Sequence, residues 1–223
     1  MHVLALVAAT CCPWAHSADR WEPRHGEIVR YEIRDGDERV GTLSYAFSRP
    51  NAETLVVERA QRLTVRRLLI RATLESSSRQ TFLNHALIDF SSRSKLASTI
   101  KNETRSVTLT LSPQGEMVGQ ANNEAVTIPE GVTPLIIWHA DTLQSGSHFG
   151  VDDARRIELT VDDVPSRRSA PASYRGPPCM SREFRMSVGD KRAGGIAWAD
   201  SSGRICALRF ETDIGPLDYV AEG

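Results

Sequence analysis

The chain has 223 residues, 40% hydrophobic and 25% charged, with 27 Lys and Arg against 28 Asp and Glu. This is ordinary globular composition, long enough to bury a real core, and it excludes a disordered chain. A formal net charge of -1 lacks the basic excess of a nucleic-acid binder, so no nucleic-acid partner is expected.

At the N-terminus, residues 3–9 (VLALVAA) form an apolar run, and Ala15 and Ser17 place small side chains three and one residues ahead of Ala18. This pattern reads as an export signal over residues 1–17, followed by a single β-rich domain over residues 18–223. His2 is the only cation-forming residue ahead of the run, where such signals usually carry Lys or Arg. The run is too short to span a bilayer, and no transmembrane segment is expected. The location implied is periplasmic or secreted. Removing the signal takes away Cys11 and Cys12 and leaves Cys179 and Cys206.

Period-2 alternation dominates after Trp21. Val29, Tyr31 and Ile33 alternate with charged residues, Asp35-Gly36-Asp37 supplies a tight turn, and Leu43, Tyr45 and Phe47 alternate again. Further strands are expected over residues 55–63, 65–74, 80–90 and 106–111, with Leu68, Ile70, Ala72 and Leu74 sharing one face. Pro113-Gln114-Gly115 turns the chain into a short strand near Met117. Pro129 to Gly131 is a breaker, and Thr133-Pro134 has the form of a helix start. Residues 135–143 (LIIWHADTL) are apolar on nearly all sides, as one short helix buried against a sheet would be. A fully buried strand has the same pattern at this length, and the Ser145-Gly146 stop favours the helix. After a strand over residues 156–162 and a Pro-, Ser- and Arg-rich loop over 164–178, strands at 182–188, 196–198 and 204–211 close a meander. In that meander Cys206 is expected to face the core with Leu208 and Phe210.

A pair of cysteines in an exported chain suggests a disulfide. Two strand starts separated by an intervening strand lie roughly 9–10 Å apart, beyond disulfide reach. A Cys179–Cys206 bond therefore requires Gly176-Pro177-Pro178 to fold back over the sheet, and the sequence leaves this open.

No cluster has the spacing of a catalytic, metal or cofactor site, so none is expected. The histidines at 25, 85, 139 and 148 form neither HxxEH nor HxH. His139 reads as a core residue with one satisfied hydrogen bond. The pairs Asp152-Asp153 and Asp162-Asp163 read as turn and strand-end residues whose carboxylates point apart. Ser145-Gly146-Ser147-His148 lacks the GxSxG elbow and an orienting acid. The Arg-rich patches at Arg66-Arg67, Arg71, Arg155-Arg156, Arg167-Arg168 and Arg175 read as charged strand edges and faces.

Tyr31-Glu32-Ile33, Gly36-Asp37, Val40-Gly41-Thr42 and Tyr45-Ala46-Phe47 resemble the opening of an uncharacterised group of exported proteobacterial proteins, known as a domain of unknown function. Phe184, Gly189-Asp190, Trp198-Ala199-Asp200, Gly203-Arg204, Leu208, Phe210 and Tyr219 are similar to its closing strands, with Ala199 where Tyr is usual. The resemblance covers about a third of the chain. It implies a strongly curved antiparallel sheet, a half-barrel or incomplete barrel, packed around one short helix and similar to periplasmic lipoprotein carriers. It brings no catalytic residues.

The expected fold is thus mainly β. The expected function is a non-catalytic binding or carrier module for a lipid or another apolar small molecule, with Leu135, Ile136, Ile137, Trp138 and Leu143 as pocket wall. The alternative is a structural or interaction protein of the envelope, with a protein partner and a filled core. If residues 1–17 are an export signal, the intact mass of the exported protein corresponds to a chain beginning at Ala18. A mass retaining Met1 through Ser17 would refute the signal.

Overall fold

The computed structural model describes residues 21–222, except 68, 69, 163, 167, 213 and 214. The export signal read over residues 1–17 lies outside the described residues. The N-terminal half forms β1 (Ile28–Asp35), β2 (Glu38–Ser48), β3 (Thr54–Arg67), β4 (Ile70–Leu83), β5 (Ala86–Ser98), β6 (Asn102–Leu111), β7 (Met117–Ala121) and β8 (Glu124–Ile128). The C-terminal half adds β9 (Thr133–Pro134), β10 (Gly146–Phe149), β11 (Arg156–Val161), β12 (Met180–Val188), β13 (Lys191–Ala199), β14 (Ile205–Thr212) and β15 (Gly215–Ala221).

All fifteen strands join one sheet in the order β8 to β1, then β15 down to β9. Every pairing is antiparallel except the two-residue β9 against β10. The edges, β8 and β9, are adjacent in sequence. Ile128 and Thr133 are five residues apart, so the chain holds them within about 18 Å. The sheet therefore curls until its edges approach at one end, and it stays open.

Alternation explains the concave core. Val29, Tyr31 and Ile33 on β1, Leu43, Tyr45 and Phe47 on β2, and Val107 and Leu109 on β6 are all buried in one cluster. The polar residues between them face out.

Two expectations on strand extent are corrected. The strand expected over 65–74 is two strands, with β3 ending at Arg67 and β4 beginning opposite it at Ile70. The strand expected over 80–90 is broken by a hairpin at Asn84 and His85, with φ of 48° and 69°. Both φ values are left-handed, as a two-residue reversal requires, and Asn tolerates that region well. Strands β8, β10 and β15 were not anticipated by the periodicity.

The expected short helix is absent: among the described residues there is no α-helix, only a 3₁₀ turn at Ala140–Thr142. Residues 135–138 carry no regular structure, with Ile136 N–H turning back onto Pro134 O, and His139 is extended. Their backbone finds partners outside the segment: Leu135 N–H donates to Phe149 O, and Ile137 O accepts from the Tyr45 hydroxyl. Next to them, Ala140 N–H donates to Gly203 O. A segment surrounded by strands can satisfy its amides without coiling, and its all-round hydrophobicity suits either conformation.

Cys206 does not share a face with Leu208 and Phe210. The register between β13 and β14 shifts at Trp198/Ala199, leaving Cys206 as the extra residue of a bulge. It therefore turns to the convex face, into a second cluster with Ile196, Trp198 and Ala207. The loop before β12 covers this cluster, with Ala170 and Tyr174 packed on it and Trp198 Nε1 donating to Arg168 O at 2.9 Å. There Cys179 and Cys206 form a disulfide, with Cα atoms 6.7 Å apart. The bulge and the covering loop bring the two closer than a flat meander would. The bond closes a 27-residue separation, which in a chain-entropy treatment is worth about 3–4 kcal/mol. Urea unfolding with and without reductant should show a loss of that order; an unchanged midpoint would mean that the loop holds the cluster without the bond.

Candidate ligand cavities

Residues 135–143 thread the concave side and separate two cavities. The first is a cleft of about 630 Å³ at one mouth of the curled sheet, bordered by Trp21, Leu55, Phe82, Trp138, His139 and Arg49. The second is a chamber of about 300 Å³, walled by Leu135, Ile136, Ile137, Leu43, Leu208 and Phe210, with Arg59, Gln61, Arg105 and Asp152 also facing it. The five expected wall residues are thus divided. Trp138 borders the cleft, residues 135–137 border the chamber, and Leu143 is buried in the main core and lines neither.

An aromatic collar shapes the cleft. Trp21 stacks on His139 at 6.0 Å between centroids and meets Phe47 and Trp138 edge-on at 5.7 and 5.8 Å. Its position is fixed by its own N–H donating to Ser202 O and by Nε1 donating to Glu27. His139 is buried, as expected of a core residue, and its Nδ1 accepts from Asp141 N–H at 3.1 Å.

Next to the chamber runs a buried polar band that sequence reasoning missed. Ser76, Ser78 and Gln80 on β4 and Ser92 and Ser94 on β5 are buried. The signal was present: these residues continue the inward phase set by Leu74 and Phe90. Arg59 Nη1 donates to Ser76 Oγ at 3.1 Å, and Ser76 Oγ donates to Asp152 at 3.3 Å. Gln61 Nε2 donates to the Tyr219 hydroxyl at 3.3 Å. Arg105 reaches Asp153 at 3.4 Å. Asp152 and Asp153 therefore line one chamber rather than pointing apart, because they sit in the turn after β10 and not on a strand. Asp163 lies outside the described residues.

His148 bonds Thr133 Oγ1 and Gln144 O, while the Ser147 hydroxyl donates to Glu158, so the Ser-Gly-Ser-His stretch holds local structure. Among the described residues no group of three metal-ligating side chains converges.

Residues 31–222 match a family model described as Domain of unknown function (DUF6134). The chain belongs to this family. Among solved structures it is similar to a β-barrel-like protein of the domain of unknown function DUF1849 from Brucella abortus. That pair aligns with a TM-score of 0.59 at 11% identity, over 87% of this chain and 94% of the other. At that identity the likeness shows the fold alone. A putative exported protein with YmcC-like fold from Bacteroides fragilis aligns at a TM-score of 0.37 and 10% identity, over 92% and 98%. No curated protein matches the chain. The structural likeness thus supports the β-barrel-like fold, and neither comparison assigns an activity.

Three tyrosines anchor the interior and make it sensitive to alkali. Burial pushes Tyr45 up to about 12, with Arg59 beside it pulling the other way. Burial likewise raises Tyr31 and Tyr219. In the unfolded chain these phenols ionise near 10. Above that pH the unfolded state sheds protons that the folded state keeps, so stability present below about pH 10 is lost progressively as pH rises towards 12. Urea midpoints across this window should fall, and Tyr45→Phe should flatten the fall. A flat wild-type profile would show that these hydroxyls are open to water.

Proposed function

We propose that this chain is an exported, periplasmic or secreted binding or carrier module that holds an apolar, lipid-like molecule in its concave side. Residues 1–17 would be its export signal and residues 18–223 its single domain. The observation that carries this reading is the cleft at the mouth. Its volume of about 630 Å³ falls in the range of small-molecule sites, and Trp21, Leu55, Phe82 and Trp138 offer apolar surface beside a few polar groups. Such a combination suits a ligand with an apolar body and a polar end. The chamber behind residues 135–137 would extend the site if that segment shifts.

A second reading, a structural or interaction protein of the envelope with a filled interior, is supported by the packing of the same segment. Ile136, Ile137 and Leu143 are 3–5% exposed and already part of the core. Side chains packed at interior density resist the shift that would join the chamber to the cleft.

Trp138 distinguishes the two. A fatty acid or phospholipid entering the cleft should shift its fluorescence, read as the difference between wild type and Trp138→Phe. The melting temperature should rise too, since a hundredfold excess over Kd stabilises the folded state by about 2.7 kcal/mol. A melting temperature independent of every lipid in a panel would refute the carrier reading and leave the filled-core reading standing.

A further inference from the structure

Three separate segments of the chain bring an aromatic ring to the cleft. Phe82 stands opposite Leu55 across the β3–β4 pair, Trp138 lies on the thread, and Trp21 precedes β1. Phe82 and Trp138 are half-buried, so each keeps part of its surface open. Among the described residues the Phe82 ring has no aromatic neighbour, and packing between rings does not occupy its faces. The Trp21 ring already holds a cation, since the Arg204 guanidinium lies over it at 5.7 Å. That charge is offset at the same residue by Glu27, which accepts from Trp21 Nε1 at 3.2 Å.

The charges bordering the cleft are predominantly negative. Three carboxylates, Glu22, Glu53 and Asp141, stand there against one guanidinium, Arg49. Arg49 is already engaged: Nη2 pairs with Glu22 at 3.5 Å, and Nε donates to Pro23 O at 3.1 Å. Glu53 has no cation within ion-pair distance among the described residues. It lies two residues before Leu55, and its carbonyl accepts from Asn84 N–H at 2.9 Å, which ties it to the hairpin that follows Phe82. Asp141 sits in the 3₁₀ turn just beyond Trp138 and His139. His139 Nδ1 accepts from Asp141 N–H and so bears no proton. His85, exposed at the hairpin, is the remaining basic side chain among the lining residues.

An aromatic face attracts a cation through its quadrupole, and the attraction strengthens as water is excluded. A carboxylate head entering the same space would meet Glu53 and Asp141, and like charges repel. We infer that the cleft takes an amphiphile whose head is an organic cation of the quaternary-ammonium type, seated among Phe82, Trp138, Glu53 and Asp141. This inference rests on the carrier reading and names the head chemistry of its ligand.

Titration calorimetry of the exported chain tests it with decyltrimethylammonium, decanol and decanoate, each below its micelle concentration. The three probes share an apolar body and differ in the charge of the head. The cation should bind one to one and about fivefold or more tighter than decanol, the scale of one cation–π contact, with decanoate the weakest. Glu53→Gln should weaken the cation and leave decanol unchanged. Phe82→Leu, which keeps an apolar side chain and removes the ring, should do the same. Melting temperatures of the free variants check that they fold. Glu53 is exposed, so its variant carries the test if Phe82→Leu does not fold. Equal affinity for all three probes, or decanoate as the tightest, overturns the cationic head while the carrier reading stands. A Glu53→Gln protein that binds the cation as wild type does overturns it too. Binding of none of the three also overturns it, and the lipid panel then decides the carrier reading separately.

Discussion

The pairing of β1 with β15 is the constraint on which the rest of the sheet depends. Every other neighbouring pair is consecutive in the chain. The chain runs outward from β1 to one edge, crosses to the other edge in the few residues between β8 and β9, and returns to the start. The seam runs Tyr31 against Ala221 through Arg34 against Asp218. It turns two meanders into one surface. Twisted open sheets rarely exceed about ten strands without curling. A fifteen-strand sheet whose edges are tied by a short connection has to curl, and the concave interior follows from that.

A curled sheet must then fill its concavity, and this chain does so with its own backbone between the two halves. Irregular backbone inside a protein is tolerated only when its amides and carbonyls are bonded. Residues 135–143 meet the condition through partners on β2, on β10 and in the turn before β14. Their composition reports burial on all sides, and it does so accurately. It carries no information on whether the partners come from within the segment or from outside. For that reason a helix was the natural reading and an irregular thread is what the fold contains.

The architecture was legible where turn chemistry and alternation agreed. Asp35-Gly36 marks its hairpin because Gly36 adopts a φ of 60°. Asn84-His85 and Asn122-Asn123 make equivalent reversals without glycine, and the apolar pattern runs through the first of them unbroken. Cys206 was misplaced because a bulge changes the phase of a strand, and bulges leave no periodic trace. The candidate cavities were half legible. Trp138 and residues 135–137 were in view as wall, but the polar band was not. Ser76, Ser78 and Gln80 look like a solvent-facing run, and only the phase inherited from Leu74 turns them inward. Ser78 Oγ and Gln80 Nε2 lie buried with no hydrogen-bond partner among the described residues. Such groups are costly in a closed core, and they mark the inner surface of β4 as polar by construction.

The two ends of β3 have different chemistry, and their separation constrains how the cavities can be used. Leu55 borders the aromatic cleft, Gln61 faces the chamber, and Arg66 stands exposed opposite Arg71. At about 3.3 Å per residue, Leu55 and Arg66 are roughly 35 Å apart along the strand. The chamber lies between these two ends. A molecule passing between the chamber and the cleft would meet residues 135–137 on its way. The ordering of surfaces along one strand thus makes that segment the element whose movement decides whether the interior is a passage or a filled core.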